Sequence, residues 1–236
     1  MRPRQRERGE LKEPERIDVT FSDMAYEGPA FAPYAGGVVF AEYGIPSERA
    51  TVELYRKHGG VAHGRVVEVH EASPDRVEAP CKYFGVCGGC QWQHITYERQ
   101  LELKRHVVSE QLRRIGKFSV QPVAETVGAD EPLGYRNHVR FSAGNGGALG
   151  FVRRASHSFL PFERCLIAQP VINETLARYQ GKAGAMHQLE VRLGVNTGEI
   201  LIEPPESGTK RERRSYREAL LGRVFEVSSV VSPTLL

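Results

Sequence analysis

Hydrophobic and polar residues alternate along the amino-terminal part of the chain, in segments that are short and closely spaced. Four of them, at residues 17–21, 37–41, 50–55 and 63–69, predict β-strands because successive side chains of a strand point to opposite faces. Glycine- and proline-containing turns separate these segments at the spacing of a small barrel. The pattern therefore predicts an OB-like β-barrel over residues 16–78.

A spacing of three and four residues replaces the alternation after Thr96. It predicts one amphipathic helix over residues 97–115, which Thr96 can cap and Gly116 can end. The outer face of this helix is basic, and Lys104 and Arg105 lie on it. On its own, a basic run of this kind describes a solvated helix surface as well as it describes a nucleic-acid contact.

Strands and helices mix after residue 121. The pattern predicts a strand at 136–142, a glycine-rich turn at 144–147, a returning strand at 149–153, a helix at 169–180 and a hairpin formed by 189–195 and 199–203. A strand rather than a helix follows the glycine-rich turn, which excludes a phosphate-binding loop of the nucleotide type. We expect a mixed α/β central domain over residues 121–236, with a basic loop or short helix at 209–223.

The cysteines suggest metal chemistry. Cys81, Cys87 and Cys90 lie within ten residues, with five and then two residues between them, and Cys165 lies far downstream. Gly88 and Gly89 allow the loop to turn several thiolates toward one centre. A tight triplet with one remote cysteine favours an iron–sulfur cluster, whereas zinc sites usually contain two close pairs. Zinc stays open as the alternative, and a set of buried, unreactive thiols is a third interpretation.

Composition and charge exclude several classes of protein. The chain has 236 residues and a net charge of +3, and it contains no run of about 20 apolar residues that could span a bilayer. Residues 1–15 mix arginine, glutamate and proline with almost no apolar side chain, so we expect a disordered, solvated tail. The charged amino terminus has no apolar stretch behind it, which predicts a cytoplasmic protein without a membrane partner. We expect a monomer.

The segment from Cys81 to Lys104 carries a long and specific pattern. It reads Cys-x5-Cys-Gly-Gly-Cys-x-Trp-Gln-His-x-x-Tyr-x-x-Gln-Leu-x-x-Lys. In this it resembles the iron–sulfur segment of the bacterial RNA (uracil-5-)-methyltransferases, the group that makes 5-methyluridine in ribosomal and transfer RNA. The resemblance implies that the four cysteines hold a [4Fe-4S] cluster, and we assign residues 79–120 to this cluster loop and its helix.

The preceding barrel is similar to the TRAM domain of RNA-modifying enzymes. Ile45-Pro46-Ser47-Glu48 follows a Val-Val-Phe strand, and residues 73–81 lead into the cluster as they do in this family. One departure is the turn at residues 26–30, which is less rich in glycine than the corresponding turn of the family. The resemblance implies a barrel that binds RNA; a barrel that serves only as a scaffold is the alternative.

The central domain also matches the family. Residues 134–141 resemble its tyrosine-arginine motif, which makes Tyr135, Arg136 and Arg140 candidates for RNA contact, together with Lys104 and Arg105 of the basic helix. A cross-strand charge pair on a sheet surface would explain the same arginines without RNA.

The chemistry of the family needs a cysteine nucleophile, a carboxylate base and S-adenosylmethionine as methyl donor. All four cysteines match cluster positions, and no strand–glycine loop–helix unit is present to bind the cofactor. We therefore expect an α+β multidomain chain that forms the RNA-binding and iron–sulfur part of an S-adenosylmethionine-dependent RNA (uracil-5-)-methyltransferase, without its carboxy-terminal catalytic domain and inactive alone. Ribosomal RNA is favoured over transfer RNA, and a stand-alone RNA-binding protein with a zinc or iron–sulfur site is the alternative.

Overall fold

The computed structural model describes residues 10–119, 123–154, 156, 158–183 and 187–203. The basic stretch at 209–223 and the first nine residues of the expected tail lie outside these residues. The chain folds as two compact units. The first contains Met1–Gly85 and Cys90–Gly128, and the second contains Val86–Gly89 and Ala129–Leu236.

The first unit is built on a six-stranded sheet with the strand order β1-β5-β6-β4-β3-β2. Its strands are β1 (Glu10–Thr20), β2 (Asp23–Met24), β3 (Ala30–Tyr34), β4 (Gly37–Glu42), β5 (Arg49–His58) and β6 (Val61–Glu71). All neighbouring strands are antiparallel except β4 and β6, which are parallel. The strands predicted from alternation are confirmed, and β1 begins at Glu10, so the expected tail boundary at residue 15 falls inside a strand.

The inner face of this sheet forms the core of the first unit. Val39, Val52 and Leu54 are buried, and each alternates with residues that are partly exposed on the outer face. The sheet curls, so that β1 and β3 approach each other although they are not neighbours in the sheet. At this approach the Tyr34 hydroxyl on β3 donates to the Glu15 carboxylate on β1 over 2.8 Å. The curl agrees with a barrel-like unit, whereas its identity as a TRAM barrel stays a prediction.

One helix, α1 (Tyr97–Arg114), belongs to the first unit and ends within a residue of the predicted position. Leu103 on α1 is buried in the same core as the sheet. Thr96 occupies the N-cap position but makes no side-chain hydrogen bond to the helix, contrary to the expected cap. The Gly116 N–H donates to the Gln111 carbonyl at the carboxyl end.

A buried carboxylate holds the segment that leads from the first sheet toward the cysteines. Glu48 is fully buried and accepts hydrogen bonds from the backbone N–H groups of Ile45 and Ser73 at 3.0 and 3.1 Å. The Arg76 guanidinium donates to both carboxylate oxygens. A buried charge is tolerated only when it is paired and hydrogen-bonded, and Glu48 meets both conditions.

The second unit is built on a five-stranded antiparallel sheet with the strand order β11-β10-β7-β8-β9. Its elements are β7 (His138–Ala143), a 3-10 turn (Asn145–Gly147), β8 (Leu149–Val152), β9 (Phe159–Pro161), the helix α2 (Pro170–Tyr179), β10 (Gln188–Leu193) and β11 (Ile200–Glu203). The predicted strands, helix and hairpin are confirmed. β9, which is only three residues long, was not predicted.

Alternation in β7 and β10 gives the second sheet a buried face and an open face. Phe141 and Val191 are buried, as are Ile172 and Leu176 on α2. The residues between the buried ones, such as Arg140, belong to the opposite face. Among the residues that the structure describes, each unit therefore combines a sheet with one helix, as expected for a mixed α/β chain.

No helix within the described ranges is both long enough and apolar enough to cross a membrane.

Candidate functional site

Backbone contacts with Arg153 and Arg154, and one hydrogen bond within the loop itself, order the cysteine loop around Cys87. Cys87 forms an antiparallel bridge with Arg153, and the Arg154 N–H donates to the Val86 carbonyl over 3.1 Å. The Gly89 N–H approaches the Cys87 sulfur at 3.4 Å. A backbone N–H directed at a sulfur stabilises its thiolate form, which is the form that binds metal.

Cys165 is buried, and a single side chain of α2 holds its backbone. The Cys165 N–H donates to Asn173 Oδ1 over 2.8 Å, and Asn173 Nδ2 donates to the Cys165 carbonyl over 3.0 Å. The same nitrogen also donates to the Ala168 carbonyl over 3.3 Å. Asn173 thereby fixes the turn that contains this cysteine.

Cys81 and Cys90 belong to the first unit, where the loop around them packs through aromatic side chains. The Trp92 indole donates to the Gly28 carbonyl over 2.8 Å. Gly28 has a φ of +97°, and a Cβ atom there would lie 2.7 Å from the indole nitrogen. The turn at residues 26–30, which departs from the family pattern, therefore needs a glycine at this one position for its contact with Trp92.

His94 lies buried behind this loop, edge-on to Tyr43 and close to Phe84. Burial lowers the pKa of His94 to about 4, with a smaller contribution from the Arg76 charge. The imidazole is therefore neutral at neutral pH. Its position among rings indicates a packing role.

None of the four cysteines forms a disulfide bond. Four thiols are the donor set of an iron–sulfur site and equally of a zinc site. Within the described part of the chain, however, no group of three or more His, Cys, Asp or Glu side chains is arranged to hold a metal ion. The four thiols therefore suit a cluster by their chemistry. Their arrangement in this structure, however, is not that of an assembled site.

The predicted RNA-contact residues occupy different settings. Tyr135 is exposed over 57% of its surface. The backbone of Arg136 is fixed by hydrogen bonds with Ile167 and Gln169, at 2.7 and 3.0 Å. Lys104 and Arg105 are exposed on α1, as predicted, and Arg105 Nε donates to the Val123 carbonyl.

Arg140 belongs to a hydrogen-bonded cluster, and its pairing with Glu190 is the cross-strand charge pair that the sequence left open as an alternative to RNA contact. Four residues on the open face of the second sheet form this cluster, and we call them the Glu190 cluster: His138, Arg140, Glu190 and Arg192. His138 Nε2 lies 2.7 Å from Glu190 Oε1, and Arg192 Nε donates to the same oxygen over 2.8 Å. Arg140 Nη2 donates to Oε2 over 2.9 Å.

The carboxylate of the Glu190 cluster is outnumbered by its cationic partners. Partial burial acts to raise the pKa of Glu190, but hydrogen bonds from Arg192, Arg140 and His138 outweigh burial and lower the pKa to about 2. The Glu190 side chain is 15% exposed, whereas the side chains of Arg140 and Arg192 are 58% and 55% exposed. The cluster therefore presents more positive than negative charge to solvent.

A pocket of about 510 Å³ adjoins this cluster. Its lining combines polar groups with apolar ones and consists of Asn137, His138, Arg192, Leu193, Gly194, Glu199, Ile200 and Leu201. His138, Arg192 and Leu201 are direct neighbours across β7, β10 and β11, which places them in one row. The pocket and the Glu190 cluster thus share the side chains of His138 and Arg192.

The outer face of the first sheet carries a different arrangement. Phe31, Phe40 and His63 form a row of rings across β3, β4 and β6, with centroids 6.0 and 5.7 Å apart. A second row alternates in charge, because Glu53 accepts hydrogen bonds from both Arg16 and Arg65. Glu42 lies opposite Arg65 on β4 and continues the alternation.

Sequence reasoning found Arg140 but missed its partners. Glu190 and Arg192 read as ordinary alternating residues of a strand, and their meeting with His138 depends on the register between β7 and β10. One signal could have indicated the cluster: both strands place their charged residues at every second position, so pairing these strands brings those charges onto one face.

Comparisons with known proteins relate the chain to RNA-modifying enzymes. No family model matches it. It is 34% identical to an uncharacterized RNA methyltransferase of Halalkalibacterium halodurans over 227 residues, 89% of this chain and 49% of the relative. It is 32% identical to an uncharacterized RNA methyltransferase of Bacillus cereus over 236 residues, 92% of this chain and 51% of the relative.

Among solved structures, the chain is similar to the tRNA (uracil-54, C5)-methyltransferase of Pyrococcus abyssi, which was crystallised with S-adenosyl-L-homocysteine. The TM-score is 0.56 at 20% identity, over 84% of this chain and 48% of that one, which shows a shared fold. The chain spans about half the length of the curated relatives it matches. Most of this chain is therefore similar in sequence to part of proteins named as RNA methyltransferases.

Proposed function

We propose that this chain is the RNA-binding and iron–sulfur part of an S-adenosylmethionine-dependent RNA (uracil-5-)-methyltransferase. The Glu190 cluster is the observation that carries the RNA-binding role. Its arginines lie on an open sheet face in a chain whose relatives are RNA methyltransferases. A face with excess positive charge attracts the phosphate backbone, which supplies most of the affinity of such complexes.

The geometry of the Glu190 cluster suits phosphate contact better than a simple surface ion pair. Arg140 and Arg192 each direct one edge of the guanidinium to Glu190, and a guanidinium has five N–H donors. The carboxylate limits the rotamers of both arginines before RNA arrives, so less conformational entropy is lost on binding. The remaining donors are exposed for phosphate oxygens.

We also propose that Cys81, Cys87, Cys90 and Cys165 ligate a [4Fe-4S] cluster. The spacing of the cysteines, the Gly89 N–H at the Cys87 sulfur and the Asn173 hydrogen bonds at Cys165 support this ligand set. When bound, the cluster would supply a covalent cross-link between distant parts of the chain. Its role in the proposal is structural.

Methyl transfer is assigned to the whole methyltransferase, since the chain spans about half the length of its relatives. S-adenosylmethionine is the proposed methyl donor of that enzyme, and C5 of uracil is the proposed acceptor. We propose ribosomal rather than transfer RNA as the substrate because the amino-terminal unit resembles a TRAM domain. The similarity to a transfer-RNA enzyme is one of fold and does not affect this choice.

A binding assay with matched variants tests the RNA-binding role. We expect the double change Arg140→Ala and Arg192→Ala to weaken binding of a ribosomal RNA fragment by about tenfold or more, and to reduce the slope of log affinity against log salt by about two. The control removes Arg16 and Arg65, which flank Glu53 on the first sheet with similar exposure. Equal losses in the two double variants would contradict a specific role for the Glu190 cluster.

Metal analysis tests the cluster. Protein purified without oxygen should contain about four irons with matching sulfide, and Cys165→Ser should lower both. Asn173→Ala serves as a second variant, because it removes the hydrogen bonds at Cys165 and keeps every thiol; we expect it to retain iron but release it faster to a chelator. Zinc in place of iron would overturn the iron–sulfur assignment.

A further inference from the structure

The pocket beside the Glu190 cluster has the size of a small-ligand site. At about 510 Å³ it falls within the range of roughly 300 to 1,000 Å³ that such sites occupy. It lies at the end of the β10–β11 hairpin, where the Gly194 N–H donates to the Glu199 carbonyl over 2.8 Å across the turn. The hairpin therefore gives the pocket a wall held by its own backbone.

The chemistry of the lining is divided. Leu193, Ile200 and Leu201 supply apolar surface, Arg192 supplies positive charge, and His138 supplies an imidazole. Glu199 and Asn137 add hydrogen-bonding groups. A flat apolar group that carries both N–H donors and a neighbouring anion matches this combination.

We infer that this pocket binds one unpaired nucleotide, with the phosphate at Arg192 and His138 and the base against Leu201 and its apolar neighbours. Glu190 is hydrogen-bonded to both side chains and holds them in place at the pocket edge. The Glu199 carboxylate offers an acceptor for the N–H groups of a base. Recognition of RNA by protein commonly uses unpaired bases in this way, because paired bases are inaccessible in the helix.

Charge complementarity selects a nucleotide over an apolar peptide as the occupant. Arg192 contributes a fixed positive charge to the lining, and it belongs with Arg140 to a cluster in which two arginines share one carboxylate. An apolar peptide would leave the remaining N–H donors of Arg192 without an acceptor, whereas the phosphate of a nucleotide provides one. The inference deepens the proposed function and rests on it, since it names which feature of the RNA this face recognises.

The test compares two RNAs of equal length, a duplex with one single-nucleotide bulge and the same duplex fully paired. We expect the wild-type protein to bind the bulged RNA about tenfold more tightly. Leu201→Trp should fill the pocket and abolish this preference while binding of the paired duplex stays within about twofold. Leu201→Glu is the second variant, because a carboxylate would repel the phosphate without adding bulk.

The control variant is Val152→Trp, which adds the same bulk at an exposed position on another strand of the same sheet. It should retain the preference for the bulge. Wild-type protein that binds both duplexes equally, with the salt dependence intact, overturns the pocket inference and leaves RNA binding standing. Failure to bind either RNA overturns the proposed function itself.

Competition with free uridine monophosphate tests whether the occupant of the pocket is a nucleotide within an RNA strand or a free nucleotide. We expect it to displace the bulged RNA only at millimolar concentration, as one nucleotide without its strand should. Displacement at micromolar concentration, abolished by Leu201→Trp, would assign the pocket to a free nucleotide and overturn the RNA assignment.

Discussion

Glu48 in the first unit and Glu190 in the second each collect several hydrogen-bond donors on one carboxylate, but in opposite surroundings. Glu48 is fully buried, and its partners are two backbone N–H groups and Arg76. Glu190 lies near the surface, and its two arginine partners are more than half exposed. The comparison indicates that a carboxylate enclosed with its donors stabilises a fold, whereas one with exposed arginines leaves them accessible, as the proposed RNA-binding role requires.

Removing Arg76 should break the enclosed arrangement with the largest effect on stability. Arg76→Ala leaves the Glu48 charge buried without its cationic partner, and we expect the free energy of unfolding to fall by about 3 to 5 kcal/mol. Unfolding by denaturant measures this change in the free energy of unfolding. Arg76→Ala combined with Glu48→Leu should recover part of the loss, and a double variant as unstable as the single one would contradict an uncompensated charge as the cause.

Acid should destabilise the first unit through His94, which packs beside the same ion pair. The unfolded state takes up a proton near pH 6.5 and the folded state only near pH 4, so stability falls as the pH drops through this window. We expect a loss of about 2 kcal/mol between pH 7 and pH 5. The measurement is the difference in unfolding free energy between the wild type and His94→Phe at both pH values; a difference independent of pH would contradict it.

Removing the carboxylate of the second unit should instead affect RNA binding more than stability. Glu190→Gln removes a surface carboxylate, and we expect the free energy of unfolding to change by less than about 1 kcal/mol. The affinity for RNA should fall several-fold, because Arg140 and Arg192 lose the carboxylate that orders them before RNA arrives. Stronger RNA binding in this variant would mean that the negative charge of Glu190 outweighs its placement of the arginines.

The smallest effect is expected on the outer face of the first sheet. Arg65→Ala removes one of the two arginines at Glu53, and stability should fall by less than about 1 kcal/mol. RNA affinity should stay within about twofold, because Glu42 and Glu53 already balance the charge of this row. A loss comparable to that of Arg140→Ala, in the same binding assay, would extend the RNA surface to the first sheet and end the contrast between the two faces.

These two carboxylates also mark the limit of what the sequence could predict. The helix α1 and the β10–β11 hairpin follow from patterns within one segment, and both are found where the pattern predicts them. Glu48 read as a polar turn residue after Ile45-Pro46-Ser47, because its burial depends on Ser73 and Arg76 in a later segment. The periodicity of a segment predicts the secondary structure of that segment, but not which distant residues its side chains will contact.

For the candidate site, too, the sequence predicted some features and not others. The spacing of the cysteines suggested a ligand set, which stays a prediction, and the longer pattern from Cys81 to Lys104 suggested an RNA methyltransferase, which the names of the relatives support. The spacing could not place the thiols in space, since Cys165 reaches its position only through α2 and Asn173. Arg140 was predicted from a motif, while Glu190 and Arg192 joined it only through the pairing of β7 with β10.

The bridge between Cys87 and Arg153 has a consequence for the order of events during synthesis. The loop leaves the ribosome long before Arg153 and Arg154 do, and synthesis at about 5 to 20 residues per second separates the two by seconds. Throughout that interval Val86 and Cys87 lack the backbone partners that order them in the finished protein. The nascent chain thus passes through a stage in which the thiols of this loop are already made but the backbone around them is not yet fixed, and oxidants and metal ions can reach them.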